Sequence, residues 1–172
     1  MKKLLFIVII AILFFVFAGC SIQNNTNCLR IHIRANSNDE VDQQIKYLVK
    51  DEVVSFLTPL LANATDKQKA KQIVLQNKDQ ICKIADDLLQ KNGFDYCANA
   101  RLDNEFFPTR SYNDVVFEKG EYDALIVDLG SGNGDNWWCV VYPPLCFVGG
   151  EITGENLVYK SKLQEIIQKF FG

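Results

Sequence analysis

The sequence predicts an α+β fold: a mainly antiparallel sheet with two N-terminal helices and a C-terminal helix, preceded by a signal peptide. Three observations carry this expectation. A segment of period two comes first, over Leu29–Ala35. Two segments of helical period follow it, and beyond Gly93 the period returns to two for most of the remaining chain. One strand, two helices and then several strands is the order of an α+β chain, not of regularly alternating βαβ units.

Leu29, Ile31, Ile33 and Ala35 alternate with Arg30, His32 and Arg34, which predicts a half-buried strand. Ser37 to Glu40 has capping-box spacing and should start a helix. Along it Val41, Ile45, Leu48, Val53, Phe56, Leu57 and Leu60 recur at helical intervals, and Pro59 should end or kink it near Leu57. Thr65 to Gln68 is a second capping box and opens a longer helical stretch, with Ala70, Ile73, Ile81, Ile84, Ala85 and Leu88 inward and Asn92-Gly93 as the stop. Tyr96, Ala98, Ala100 and Leu102 then alternate with polar residues, giving a strand with one wet face. Phe106 to Arg110 interrupts it, Asp114 to Phe117 can resume extended structure, and Glu121 to Leu129 reads as a further strand. Gly130 to Asn136 is rich in residues that tolerate positive φ and most simply joins two antiparallel strands, the second being Trp137–Tyr142. From about Glu155 to Phe171, Leu163, Ile166, Ile167 and Phe170 share one side of a final helix expected to cover the sheet or its edge.

The stretch Asn136 to Phe147 is unusual in composition. Its two tryptophans are adjacent, and neighbouring residues of a strand point to opposite faces. At most one of Trp137 and Trp138 therefore enters a given core, and the other faces a loop, a second layer or a partner. Pro143 and Pro144 lack amide donors and exclude a central strand there, so Tyr142 to Phe147 reads as a rigid aromatic corner.

Lys2 and Lys3 followed by the apolar run Leu4–Ala18 read as a signal peptide over 1–19, too short for a typical membrane span. An uncleaved anchor is the alternative. Phe17-Ala18-Gly19-Cys20 resembles the bacterial lipoprotein processing box, which would make Cys20 the lipidated first residue; residues 20–28 then form a polar tether and 29–172 a single domain. With Cys20 lipidated, Cys28, Cys82, Cys97, Cys139 and Cys146 remain, an odd number that leaves one thiol free or paired between chains. Cys139 and Cys146 are the nearest pair in sequence and the candidate disulfide, although a two-residue hairpin at Pro143-Pro144 would turn Cys146 toward Val141 instead. Removing residues 1–19 takes away two lysines and no acid, leaving 16 basic against 21 acidic residues, a net charge of −5. That balance argues against nucleic acid as a partner.

The residues of familiar catalytic sites are sparse. His32 is the chain's one histidine, and its position between Arg30 and Arg34 predicts a solvated surface residue. A Ser–His or Cys–His nucleophile would have to use it, beside two cations that lower its worth as a base. No His/Cys pair has zinc-site spacing, so no metal or other cofactor is expected. Gly130-Ser131-Gly132-Asn133-Gly134 lacks the Lys-Ser/Thr ending of a phosphate loop, and Asp128-Leu129-Gly130-Ser131 lacks the hydroxyl residue and second copy of an aspartic protease.

Leu29-Arg30-Ile31-His32-Ile33-Arg34-Ala35-Asn36-Ser37, with Asp42-Gln43 and Lys50-Asp51, resembles the opening motif of the stage II sporulation protein R family of spore-forming Firmicutes. Phe107-Pro108-Thr109-Arg110 with Tyr112, Gly120 to Leu125, Gly130 to Gly134 and Asn136 to Phe147 are similar to its later signatures, in the same order. The resemblance runs over residues 29–148. It implies signalling and not catalysis: a protein made in the forespore, exported to the space between the two membranes, and needed there to switch on a membrane-embedded aspartic protease of the stage II sporulation GA type. That protease cleaves the precursor of sigma factor E.

The family carries no catalytic motif over to this chain. Contact with the protease would draw on rigid aromatic and arginine side chains, which dominate many interfaces: Trp137, Trp138, Tyr142, Pro143, Pro144 and Phe147, with Phe107, Arg110 and Tyr112. The same residues could equally build the core. A cell-envelope hydrolase and a structural spore-envelope lipoprotein are the rival readings, and the oligomeric state is open.

Overall fold

In the computed structural model, which describes residues 27–112 and 115–143, the chain enters through a strand, β1 (Leu29–Arg34). Three helices follow: α1 (Glu40–Leu61), α2 (Lys67–Gln76) and α3 (Lys78–Lys91). After them come β2 (Ala98–Phe107), β3 (Arg110–Tyr112), β4 (Val115–Phe117), β5 (Gly120–Leu129) and β6 (Asn136–Tyr142). Four strands form one sheet in the order β2-β5-β1-β6, and β3 pairs with β4. The β2–β5, β1–β6 and β3–β4 pairings are antiparallel and β1–β5 is parallel. The result is the α+β class with a mainly antiparallel sheet. The expected signal peptide, Cys20 and the expected C-terminal helix lie outside the described residues.

The glycine-rich turn does not close a simple hairpin. β5 and β6 are separated by β1, so the connection crosses the end of that strand. The two strands it joins run antiparallel, as expected, but they are not neighbours, because β1, from much earlier in the chain, offers one edge to each of them.

Helix boundaries differ from the expected ones in ways local chemistry explains. α1 begins at Glu40 behind Asp39, while Ser37 Oγ accepts the Asp39 amide two residues earlier instead of capping the helix. Pro59 is tolerated inside the last turn of α1, where only the Ser55 carbonyl loses its amide partner. α2 is capped by Asp66, whose carboxylate accepts the Lys69 amide at 2.8 Å. The long second helix breaks at Asn77, whose side chain donates to the Ile73 carbonyl at 2.8 Å and competes with the backbone ladder.

The helices cover one face of the sheet. Ile45, Val49, Val53, Leu57 and Leu61 line α1 at every fourth residue, as do Ile81, Ala85 and Leu89 along α3. They pack on Leu29, Ile31 and Ile33 of β1, Leu125, Val127 and Leu129 of β5, and Val141 of β6. Val41 and Leu48, expected inward, are exposed on α1. The opposite face carries a second cluster of Cys28, Phe107, Phe117, Tyr122, Ala124, Ile126 and Val140, with Trp138 packed against it.

Burial on both faces corrects the reading of His32. It is 0 % exposed, as is Arg30, because β1 lies between β5 and β6 and both its faces are covered. The alternation in sequence is real, but it separates an aliphatic core from a polar and aromatic one.

Candidate functional site

The described candidate residues gather around β1 and β6 on both faces of the sheet. Arg34 pairs in register with Asn136, His32 with Trp138, and Ile33 with Trp137. The two tryptophans thus project to opposite faces, both half-buried. Trp137 packs on the helix-side core with Lys50 Nζ 5.6 Å from its ring centre, and Trp138 packs on the second core.

On the second face His32 lies 4.8 Å from Trp138 and 5.3 Å from Phe107, centre to centre. Its Nε2 is 2.9 Å from Glu105 Oε2, which fixes the proton on Nε2, and Nδ1 has no hydrogen-bond partner among the described residues. Burial pushes the imidazole down to about 4, against the opposing pull of Glu105. Glu105 also receives Arg34 at 2.5 and 2.6 Å, and Arg101 binds Asp128 and approaches Glu105 at 3.4 Å. Beneath them the fully buried Arg30 places its guanidinium 4.2 Å from the Phe107 ring centre and 4.8 Å from that of Tyr122, a cation–π arrangement.

The glycine-rich turn is tied to the segment after β1. Gly134 N donates to Ala35 O at 2.8 Å, Ser131 N to Asn36 Oδ1 at 3.0 Å, Ser131 Oγ to Asn36 O at 2.7 Å, and Asp135 N to Asn38 Oδ1 at 2.7 Å. Asn36 also donates to buried Asp42 at 2.9 Å, and Tyr96 donates to the other oxygen of Asp42 at 2.5 Å. Burial opposes ionisation of Asp42, but the hydrogen bonds from Tyr96, Ser37 and Asn36 outweigh it and hold the carboxyl below its usual range. Lys46, also buried, donates to Gln43 at 2.5 Å and to the Asp135 carbonyl at 3.0 Å.

Between this turn and β3 lies a cleft of about 370 Å³, lined by Arg110, Gly134, Asp135, Asn136 and Trp138. Arg110 is exposed, with its guanidinium 5.7 Å from the Trp138 ring centre. The structure thus brings Arg110 and Trp138 together, with Trp137 across the sheet. It separates them from Tyr142 and Pro143, buried at the other end of β6 where the Tyr142–Pro143 peptide is cis. Phe107 is fully buried beneath Trp138 and serves as its platform. Tyr112 lies in β3; Pro144, Cys146 and Phe147 lie outside the described residues. Cys82 and Cys97 carry free thiols, and burial pushes the Cys28 thiol up to about 11, so it stays protonated.

Sequence reasoning passed over Glu105 and Lys46, and placed Asn36 and Asp42 in the opening motif without a role. An Asn-Ser-Asn run directly after an apolar strand was an available signal for Asn36, since such side chains bond nearby backbone. Nothing local signalled that Glu105 meets a histidine 73 residues away.

Comparison with known proteins places these features in a family. The family model for stage II sporulation protein R matches residues 25–151. Stage II sporulation protein R of Bacillus subtilis (strain 168) is 36% identical over 120 residues, covering 70% of this chain and 54% of the relative. The chain therefore corresponds to about half the length of that curated protein. No solved structure matches. The family match covers all the described strands and helices, together with the cleft and the stitched turn, and so the chain belongs to the stage II sporulation protein R family, a family of sporulation proteins.

Proposed function

We propose that the chain is an exported signalling protein of sporulation that works by contact, switching on a membrane-embedded aspartic protease of the stage II sporulation GA type, which then processes the precursor of sigma factor E. The observation that carries this reading is the family match over residues 25–151, well beyond half of the chain. The geometry is in keeping with binding. His32 is sealed within the sheet, and Glu105 and Asp128 are each paired with arginine, so these three groups are committed to the fold. Trp138 and Arg110 form a rigid aromatic–cationic edge of the kind that anchors interfaces.

In this reading the protein is made in the forespore and acts in the space between the membranes, held by its N-terminal segment or by lipid on Cys20. A Cys139–Cys146 bond braces the corner after β6, these two being the nearest cysteines in sequence.

Deleting the gene and blotting sporulating cells for sigma factor E tests the proposal: the uncleaved precursor is expected to accumulate. Normal maturation without the protein would return it to a structural role in the spore envelope, and peptidoglycan cleavage by the purified protein would make it a hydrolase. Arg110→Ala is expected to lower processing sharply while the protein keeps its melting temperature; equal loss of both would assign that side chain to the fold and not to a contact.

A further inference from the structure

We propose that the cleft between Arg110, Trp138 and the glycine-rich turn receives an acidic peptide segment of a protein partner, its carboxylate on Arg110 and its backbone amide on the Asp135 side. The inference rests on the contact reading above and names the chemistry that the contact recognises.

Arg110 differs from its neighbours in how its charge is used. Arg34 and Arg101 are engaged by Glu105 and Asp128. Arg110 is exposed and has no carboxylate within ion-pair distance among the described residues, yet it is held over Trp138 instead of ranging freely. Trp138 is in turn wedged against His32 and Phe107, both fully buried. A planar guanidinium steadied on an indole loses little freedom on binding and presents paired donors to a carboxylate.

The other wall is equally fixed. Gly134 and Asp135 are tied through their amides to Ala35 and Asn38, so the backbone of this wall is fixed, and Asp135 adds an acidic residue to the lining that Arg110 shares. A group that satisfies both carries an anion and an N–H donor side by side, which describes an acidic residue within a peptide. A bare anion would use Arg110 and be repelled by Asp135. A sugar ring would need an open aromatic face, and Arg110 already lies over the indole. The cleft, at about 370 Å³, suits one or two residues and not a folded domain.

β1 gives the site an orientation. It enters the sheet at Leu29, beside Tyr142, and leaves at Arg34, beside Asn136, so the chain upstream of Asn27 and the cleft are at opposite ends of the strand. At a strand rise of about 3.3 Å per residue the two ends are roughly 17 Å apart.

The test uses the purified full-length protein in detergent micelles, in a Trp137→Phe background so that Trp138 reports alone by fluorescence. The probes are the capped pentapeptide Gly-Ala-Glu-Ala-Gly, its glutamine counterpart, acetate and chitotriose. Saturable change with the glutamate peptide is expected, with the glutamine peptide and acetate each weaker by about tenfold or more, as for loss of one charge-assisted contact. Arg110→Gln should erase the preference for glutamate at an unchanged melting temperature, and Asp135→Asn should narrow the gap between peptide and acetate. Equal response to the two peptides, response to neither, or a response to chitotriose alone would overturn the proposal. These readouts involve no sporulation step, so their failure leaves the signalling reading standing, and a normal deletion phenotype would leave the cleft's preference standing.

Discussion

His32 is held neutral between Phe107 and Trp138 because burial costs its charged form more than Glu105 returns, which brings its pKa from 6.5 to about 4. Above pH 6.5 the imidazole is neutral whether the chain is folded or not. Between 6.5 and 4 the unfolded chain takes up a proton that the folded chain refuses, so stability falls as the pH falls. Chemical denaturation at pH 7 and pH 5 should show a loss of about 2 kcal/mol from this group. His32→Phe should flatten that dependence, leaving Glu105 still paired with Arg34 and Arg101. An unchanged pH profile in the variant would mean that His32 is not the titrating group. Sequence could supply the identity of the histidine but not this behaviour, because its position beside two arginines looks the same on a wet strand as on a buried one.

β1 and the turn that crosses its end show where pattern reading works and where it stops. The alternation of Leu29 to Ala35 correctly gave a strand, and Gly130 to Asn136 correctly gave a turn. Which strands the turn joins across space depended on β1 fitting between β5 and β6. The fit is tight at Gly134, where a Cβ would come within 2.2 Å of the Ser37 carbonyl oxygen, a backbone atom with little room to move. Gly134→Ala is expected to destabilise the protein by about 1–3 kcal/mol, read as a lower melting temperature. The same substitution at Gly93, where a Cβ would meet nothing within 4 Å, should cost only what its φ of 82° imposes. Similar melting temperatures for the two variants would contradict the crossing described here.

Across the molecule, Asn36 joins parts that are distant in sequence: Ser131 in the turn, Asp42 in α1 and, through Asp42, Tyr96 ahead of β2. Asn36→Ala would leave the buried Asp42 carboxylate with one hydrogen bond fewer and release the turn, at a cost of about 1–3 kcal/mol. Amide exchange over residues 130–136 should quicken along with it, whereas a stability loss without faster exchange there would place the cost elsewhere. Spacing between near neighbours in the sequence determined the class of the fold, the amphipathic α1 and the strands β1, β5 and β6, and the resemblance of its motifs pointed to the family, whereas the break at Asn77 and the β3–β4 pair were not legible there. Only the tertiary structure decided that β1 is covered on both faces, that Glu105 meets His32, and that Arg110 is steadied over Trp138 beside the turn. Those pairings depend on which distant segments share a surface, and local periodicity carries no information about that choice.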